Sequence, residues 1–188
     1  NVTGTLNVLE AARVNGVGRV VHTSTSEVYG TALTLPIAES HPLQGQSPYS
    51  ASKIAADKMA EAYALSFDLP VVVLRPFNTY GPRQGERAVI PTIVRQALDP
   101  ACTAIKLGDL TTTRDFNYVS DTVAAFLAIG RAPEIEFGAP YNTGTGQAVS
   151  VADVLGRVRE LTGTNKPAES EAARIRPERS EVRTLLAD

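Results

Sequence analysis

The chain has 188 residues, of which 43% are hydrophobic and 20% charged, with a formal net charge of -2. That is enough apolar material for one core, perhaps one domain and a fraction, and no signature of disorder. The near-neutral balance excludes an electrostatic case for nucleic acid or a membrane surface, and no apolar run approaches the roughly 18 residues that span a bilayer. Cys102 is the single cysteine, so neither an internal disulfide nor a cysteine-based metal site can form.

The elements alternate. Asn1–Asn15 reads as a helix, with Val2, Leu6, Leu9 and Ala12 at helical spacing and Gly16 and Gly18 ending it. Val17–His22 is a short β-branched run that reads as a buried strand. Thr23–Gly30 is polar, and Thr31–Pro48 reads as loop. Tyr49–Phe67 is a long helix pattern, followed by the apolar strand Leu69–Leu74. Pro76–Arg87 is rich in Gly, Pro and Asn and reads as loop. Val89–Leu98 is helical. Ala104–Leu107 and Asp115–Tyr118 are short strand candidates, and Ser120 or Asp121 could cap a helix reaching Ile129. Tyr141–Thr143 is a brief strand. Ser150 caps Val151–Thr162, and the tail Pro167–Asp188 ends in a short helix around Ser180–Leu186.

Helices alternating with buried strands predict an α/β fold: a parallel sheet covered on both faces, then a smaller, mixed α/β region after Thr143. In such sheets, ligands bind beyond the carboxyl ends of the strands. Two polar clusters fall there, Thr23–Glu27 and Asn78–Arg83.

The sharper signal is Tyr49-Ser50-Ala51-Ser52-Lys53. Four residues apart, Tyr49 and Lys53 share one helix face. A free phenol has a pKa near 10, too high for a base at neutral pH, and a nearby ammonium would lower it. A hydroxyl such as Thr25 would complete an acid/base site. The spacing alone recurs by chance, and a packed tyrosine beside a solvated lysine is the plain alternative. His22 and His41 are too few and too separated for a metal site. Cys102 has no neighbouring base to make it a nucleophile.

The spacing has company. NVTGTLNVLEAA from Asn1, STSEVYG from Ser24, PYSASK from Pro48, LRPFNTYGPRQ from Leu74 and RDFNYVSD from Arg114 occur in the order and spacing of the extended short-chain dehydrogenase/reductases, the NAD-dependent epimerase/dehydratase family. The chain resembles that family over nearly its whole length. The resemblance implies a Rossmann-like doubly wound sheet lacking its N-terminal strands, with residues 1–143 in the NAD-binding domain (substrate-domain excursions around 84–118) and 144–188 in a small substrate-binding domain.

It also implies roles. The residue matching Tyr49 exchanges a proton with a sugar hydroxyl. The one matching Lys53 holds the nicotinamide ribose, and Thr25 bonds the reacting oxygen. Thr23, Tyr49, Lys53, Pro76 and Phe77 fall at cofactor positions. Asn78, Arg83, Arg114, Asn117 and Arg176 fall at positions facing a nucleotide-diphosphate sugar. Guanidinium suits that diphosphate because it binds phosphate through paired hydrogen bonds.

Thr25-Ser26-Glu27 resembles the catalytic triplet of nucleotide-sugar 4,6-dehydratases, notably the GDP-mannose type. Ser26 cannot act as an acid, so Glu27 would serve as both base and acid. Decarboxylases share the triplet but commonly read YDEGK where this chain reads YSASK, and 4-epimerases usually lack the glutamate. HPLQGQSPYSASK, RPFNTYGPRQxxRAVIPTI and RPERSEV are similar to the N-acetylglucosamine-nucleotide 4,6-dehydratases of legionaminic acid biosynthesis. The implied protein is a cytoplasmic NAD enzyme without a metal. It would dimerise through the Asn1–Asn15 and Tyr49–Phe67 helices.

One family feature is missing from these residues. The strand, G-x-x-G-x-x-G loop and helix that cradle the pyrophosphate are not among them, so the sequence does not choose between NAD and NADP. The chain reads as a fragment that should bind NAD poorly by itself. A non-catalytic sugar-nucleotide-binding fragment is the alternative of a different class.

Overall fold

The computed structural model describes residues 1–175 and 177–188. Its centre is a three-stranded parallel sheet. β1 (Val20–Thr23) pairs with β2 (Val71–Pro76), and β2 pairs with β6 (Pro140–Thr143). β2 is buried from Val71 through Arg75, as a parallel strand covered on both faces must be. Val71 and Val73 pack on Leu9 and Ala12 of α1 (Val2–Val14) and on Ala60 and Ala64 of α2 (Pro48–Phe67). Val72 and Leu74 point the opposite way along the strand and are equally buried. α4 (Val119–Arg131) also contacts β1 and β2.

The long helix is defined at both ends. Ser47 and Ser50 form a capping box, Pro48 occupies the first turn, and Asp68 closes the helix in the left-handed conformation at φ 51. Proline at that position costs nothing, because its missing N–H would have had no helical partner. The first turn carries Tyr49, so the cap also orients the site.

A second sheet is mixed. β5 (Thr113–Tyr118) pairs in parallel with β3 (Asn78–Tyr80) and with β9 (Thr184–Leu185), and antiparallel with β7 (Ala148–Ser150). Beside it, α3 (Val89–Leu98) and α5 (Val151–Thr162) pack on β4 (Ile105–Leu107), which pairs with β8 (Ala168–Ser170). Ser150 caps α5 through a capping box with Asp153.

Three expectations change. The tail helix around Ser180–Leu186 is absent: a 3-10 turn over Glu178–Ser180 leads instead into β9. Val182, Leu185 and Ala187 enter a core with Val28, Tyr29, Ile37 and Phe77, and the step of two from Leu185 to Ala187 is that of an extended chain. α4 begins at Val119 with no side-chain cap, and Ser120 bonds Asp121 instead of a helix N–H. β3, within a segment that reads as loop, and β7 and β8 are strands of three residues each, too short to print a period. Among the described residues, no helix is long and apolar enough to cross a membrane.

Candidate active site

The site forms where β1 ends. Thr25 is extended and accepts the backbone N–H of Glu27, opening a 3-10 turn over Ser26–Tyr29. That turn swings Glu27 outward while Val28 and Tyr29 go into the core. α2 then returns Tyr49 to the same place, where its phenol bonds Thr25. Burial pushes the Tyr49 pKa above its ordinary value. The Thr25 bond pulls it back in part, and the charge of Glu27 pushes it further up. The Tyr49 phenol therefore feels both Thr25 and the charge of Glu27.

Lys53 behaves differently from the simplest reading of the spacing. Its ammonium donates to the Thr23 carbonyl at 2.8 Å, and it is not among the groups acting on the phenol. In this structure the expected depression of the Tyr49 pKa is a rise. Lys53 and the half-exposed Tyr49 still present an ammonium and a phenol side by side at the carboxyl end of the sheet. This donor set fits the ribose and nicotinamide end of NAD. The rest of the cofactor would need the glycine-rich loop that these residues do not contain.

Beyond Glu27 opens a cavity of about 360 Å³, lined among others by Glu27, Asn78, Gln84, Arg87, Arg114 and Arg174. Its size suits a small-molecule site, and its lining mixes the three arginines with Glu27, Asp109 and Glu181. Arg114 is held by the carbonyls of Thr113 and Arg183, at 2.8 and 3.1 Å, and lies 3.7 Å from Glu181. Asn78 and Gln84 each carry a buried side-chain oxygen with no hydrogen-bond partner. The Gln84 amide is oriented by donation to the Thr79 carbonyl at 2.8 Å.

Several expected site residues lie elsewhere. Asn117 is 2% exposed and donates to the hydroxyls of Thr122 and Thr143; it ties β5 to α4 and β6 and does not face the cavity. The Phe77 ring packs against Tyr29 in the core, and its N–H is taken by the Thr143 carbonyl. Ser26 is buried, consistent with its having no acid to offer. Arg83 is exposed in a left-handed turn at φ 66, outside the cavity lining. Pro76 ends β2, half-buried opposite Thr143. Arg176 lies outside the described residues. Arg87, Arg174 and Gln84 take the cavity positions instead. The Asn78–Arg83 cluster stopped one residue short of Gln84 and four short of Arg87.

The sequence and the fold that carry this site are shared with known proteins. The family model for GDP-mannose 4,6-dehydratase matches residues 1–187. The chain belongs to this family of nucleotide-sugar dehydratases and epimerases. As a family member it is 36% identical over 179 residues to a UDP-glucose 4-epimerase of Mycolicibacterium smegmatis, covering 93% of this chain and 56% of that protein. It is 43% identical over 138 residues to a dTDP-glucose 4,6-dehydratase of an Actinoplanes species, covering 72% of this chain and 43% of the relative. The solved structure of MoeE5 in complex with UDP-glucuronic acid and NAD matches all of this chain with a TM-score of 0.88 at 37% identity, and the chain covers 61% of it. The chain thus spans about half the length of the curated relatives it matches. The Rossmann-like α/β fold is that of NAD-bound family structures.

Proposed function

We propose that these residues are the catalytic and substrate-binding part of an NAD-dependent nucleotide-sugar 4,6-dehydratase. The observation that carries this reading is the placement of Glu27. Its carboxylate lines the cavity and acts on the Tyr49 phenol, so a base stands beside the oxidation site where a sugar C5 proton would lie.

The redox chemistry, removal of hydride from the sugar C4 and its return to C6, belongs to NAD when bound. The chain's own residues do the rest. Thr25 holds the C4 oxygen, and Tyr49, in the phenolate form that the step requires, takes its proton as the ketone forms. The ketone acidifies C5. Glu27 removes the C5 proton and delivers it to the departing C6 hydroxyl, which leaves as water. C5 then regains a proton, balancing the one Tyr49 took from the C4 oxygen. General acid–base groups placed this way contribute about 10²–10⁴-fold each. Arg87, Arg114 and Arg174 would hold the diphosphate.

The substrate class we favour is an N-acetylglucosamine nucleotide, on the similarity to the legionaminic acid type. The working enzyme would be a cytoplasmic homodimer joined through α1 and α2. Val8, at 60% exposure, and Leu65, at 77%, are apolar side chains on those helices left open to solvent. A monomer mass for the whole protein in size-exclusion chromatography would refute the dimer. The 188-residue chain alone would bind NAD poorly, and calorimetry showing tight binding would refute that.

The decisive experiment is Glu27→Gln in the whole protein, followed by mass spectrometry. The variant should still oxidise C4 but should not lose water. Normal dehydration by it would overturn the reading. Loss of carbon dioxide from the wild type would mark a decarboxylase, and an unchanged mass with inverted C4 an epimerase.

A further inference from the structure

α2 is fastened to β1 at three successive turns. Tyr49 bonds Thr25, Lys53 donates to the Thr23 carbonyl at 2.8 Å, and Asp57 accepts from the Ser24 hydroxyl at 2.8 Å. Steps of four residues keep all three on one helix face. His22 and Ser24 alternate onto the same side of the strand, and both meet the Asp57 carboxylate, with His22 Nε2 at 3.2 Å from Oδ1. Asp57 is 2% exposed; it does not line the cavity beyond Glu27, but it does line a second one of about 600 Å³ together with Arg75. It also accepts from Arg75 Nε of β2 at 3.1 Å, and Arg75 donates onward to the Tyr29 hydroxyl at 3.0 Å.

The first two fastenings belong to the reaction site. The third lies apart from that site, beside a second cavity that Asp57 and Arg75 help to line. Yet Ser24 sits between the residues that meet Lys53 and Tyr49. A roll of α2 that broke the Asp57–Ser24 bond would also carry Tyr49 off Thr25 and Lys53 off Thr23. A misplacement of about 1 Å can cost about 10²-fold in rate, so the third fastening has kinetic consequences.

We propose that Asp57 and Ser24 are positioning residues, whose buried bond fixes the rotation of α2 against β1 and thereby sets the Tyr49–Thr25 and Lys53–Thr23 contacts. The kinetic side of this rests on the dehydratase reading above; the geometric side does not. Asp57→Asn leaves the Arg75 guanidinium buried without its carboxylate and threatens the fold itself. Ser24→Ala therefore carries the test, since it keeps the ion pair and removes one hydroxyl. Ser24→Thr, which restores a hydroxyl, is the conservative partner.

In the whole protein, Ser24→Ala should lower kcat about five- to tenfold and leave KM for the nucleotide sugar within about twofold, as loss of an interaction made in the transition state requires. Ser24→Thr should recover at least half of the loss. A kcat for Ser24→Ala within twofold of wild type overturns the proposal, as does an equal loss in both variants. Tyrosine labelled with ¹³C at Cζ, with Tyr49 assigned by Tyr49→Phe, supplies a readout independent of turnover. The Tyr49 resonance should move in Ser24→Ala and return in Ser24→Thr. If the wild type turns over no nucleotide sugar, the dehydratase reading fails, and this resonance still decides: an identical shift in all three proteins overturns the positioning role.

Discussion

The Lys53 ammonium donates to the Thr23 carbonyl at 2.8 Å, which anchors it to the last residue of β1, two before Thr25. The cation is thereby held one helical turn from Tyr49. Lys53→Met in the whole protein removes both the anchor and a donor for the ribose. We expect kcat/KM to fall about 100-fold, within the range for a positioned proton-transfer group, and NAD to bind more weakly. Wild-type kcat/KM in steady-state assays of this variant would remove Lys53 from the site.

The Tyr49 phenol carries its own pH signature. Its pKa is raised by burial, lowered by the Thr25 bond and raised by Glu27. The signs for single substitutions follow. Glu27→Gln removes a negative neighbour and should move the Tyr49 titration midpoint down. Thr25→Ala removes a donor to the phenolate and should move it up. Because the folded value lies above the unfolded one, any stability Tyr49 contributes is complete below the ordinary value near 10 and is lost as pH rises through the raised value. Following the ¹³Cζ resonance from pH 8 upward checks both directions, and a midpoint that rises in Glu27→Gln would contradict the geometry.

Much of this site was legible in the chain, and the physical reason differs by residue. Tyr49 and Lys53 announce themselves because a helix places four-residue neighbours on one face. Thr25 and Glu27 announce themselves because a polar string directly follows a β-branched strand. Asn117 and Phe77 did not betray their burial. An asparagine bonded to two threonine hydroxyls reads the same as one facing a ligand, and a phenylalanine at a strand end can turn either way. Arg83 and Arg87 flank a Gly-rich turn, and only its path, with Arg83 left-handed at φ 66, decides which guanidinium meets the cavity. The parallel core could be read from its apolar runs. The tail strand β9 could not, because its register is set by Thr113 and Arg114 of β5, about 70 positions earlier in the chain.

The cavity lining separates Arg87 and Arg114, which belong to it, from Arg83, which does not. A charged hydrogen bond is worth about 1.5–3 kcal/mol. Arg87→Ala and Arg114→Ala should therefore each raise KM for the nucleotide sugar about 10- to 100-fold, while Arg83→Ala should stay within about threefold. Initial-rate measurements across substrate concentration test the contrast. A larger effect at Arg83 than at Arg87 would show that the turn is re-laid when substrate binds.

Asp115 tests how the two sheets are joined. Its carboxylate is fully buried and accepts the Thr145 N–H at 2.8 Å, the Thr145 hydroxyl at 2.6 Å, the Gly146 N–H at 2.9 Å and the Ala187 N–H at 3.3 Å. It thus ties β5 to the turn after β6 and to the end of β9. Gly144 fits against it only because it lacks a side chain: a Cβ there would lie 2.6 Å from the Asp115 carboxylate. Asp115→Ala leaves these buried donors without an acceptor, at about 1–3 kcal/mol each. Allowing for relaxation and water entry, a loss of at least about 3 kcal/mol is expected. Urea denaturation of the whole protein should show it as a lower midpoint at unchanged slope. The adjacent Arg114 should lose its hold on the Arg183 carbonyl as β9 loosens, so the same variant should also bind the nucleotide sugar more weakly. An unfolding midpoint equal to wild type would mean that solvent reaches these donors and that β9 is held by its apolar side chains alone.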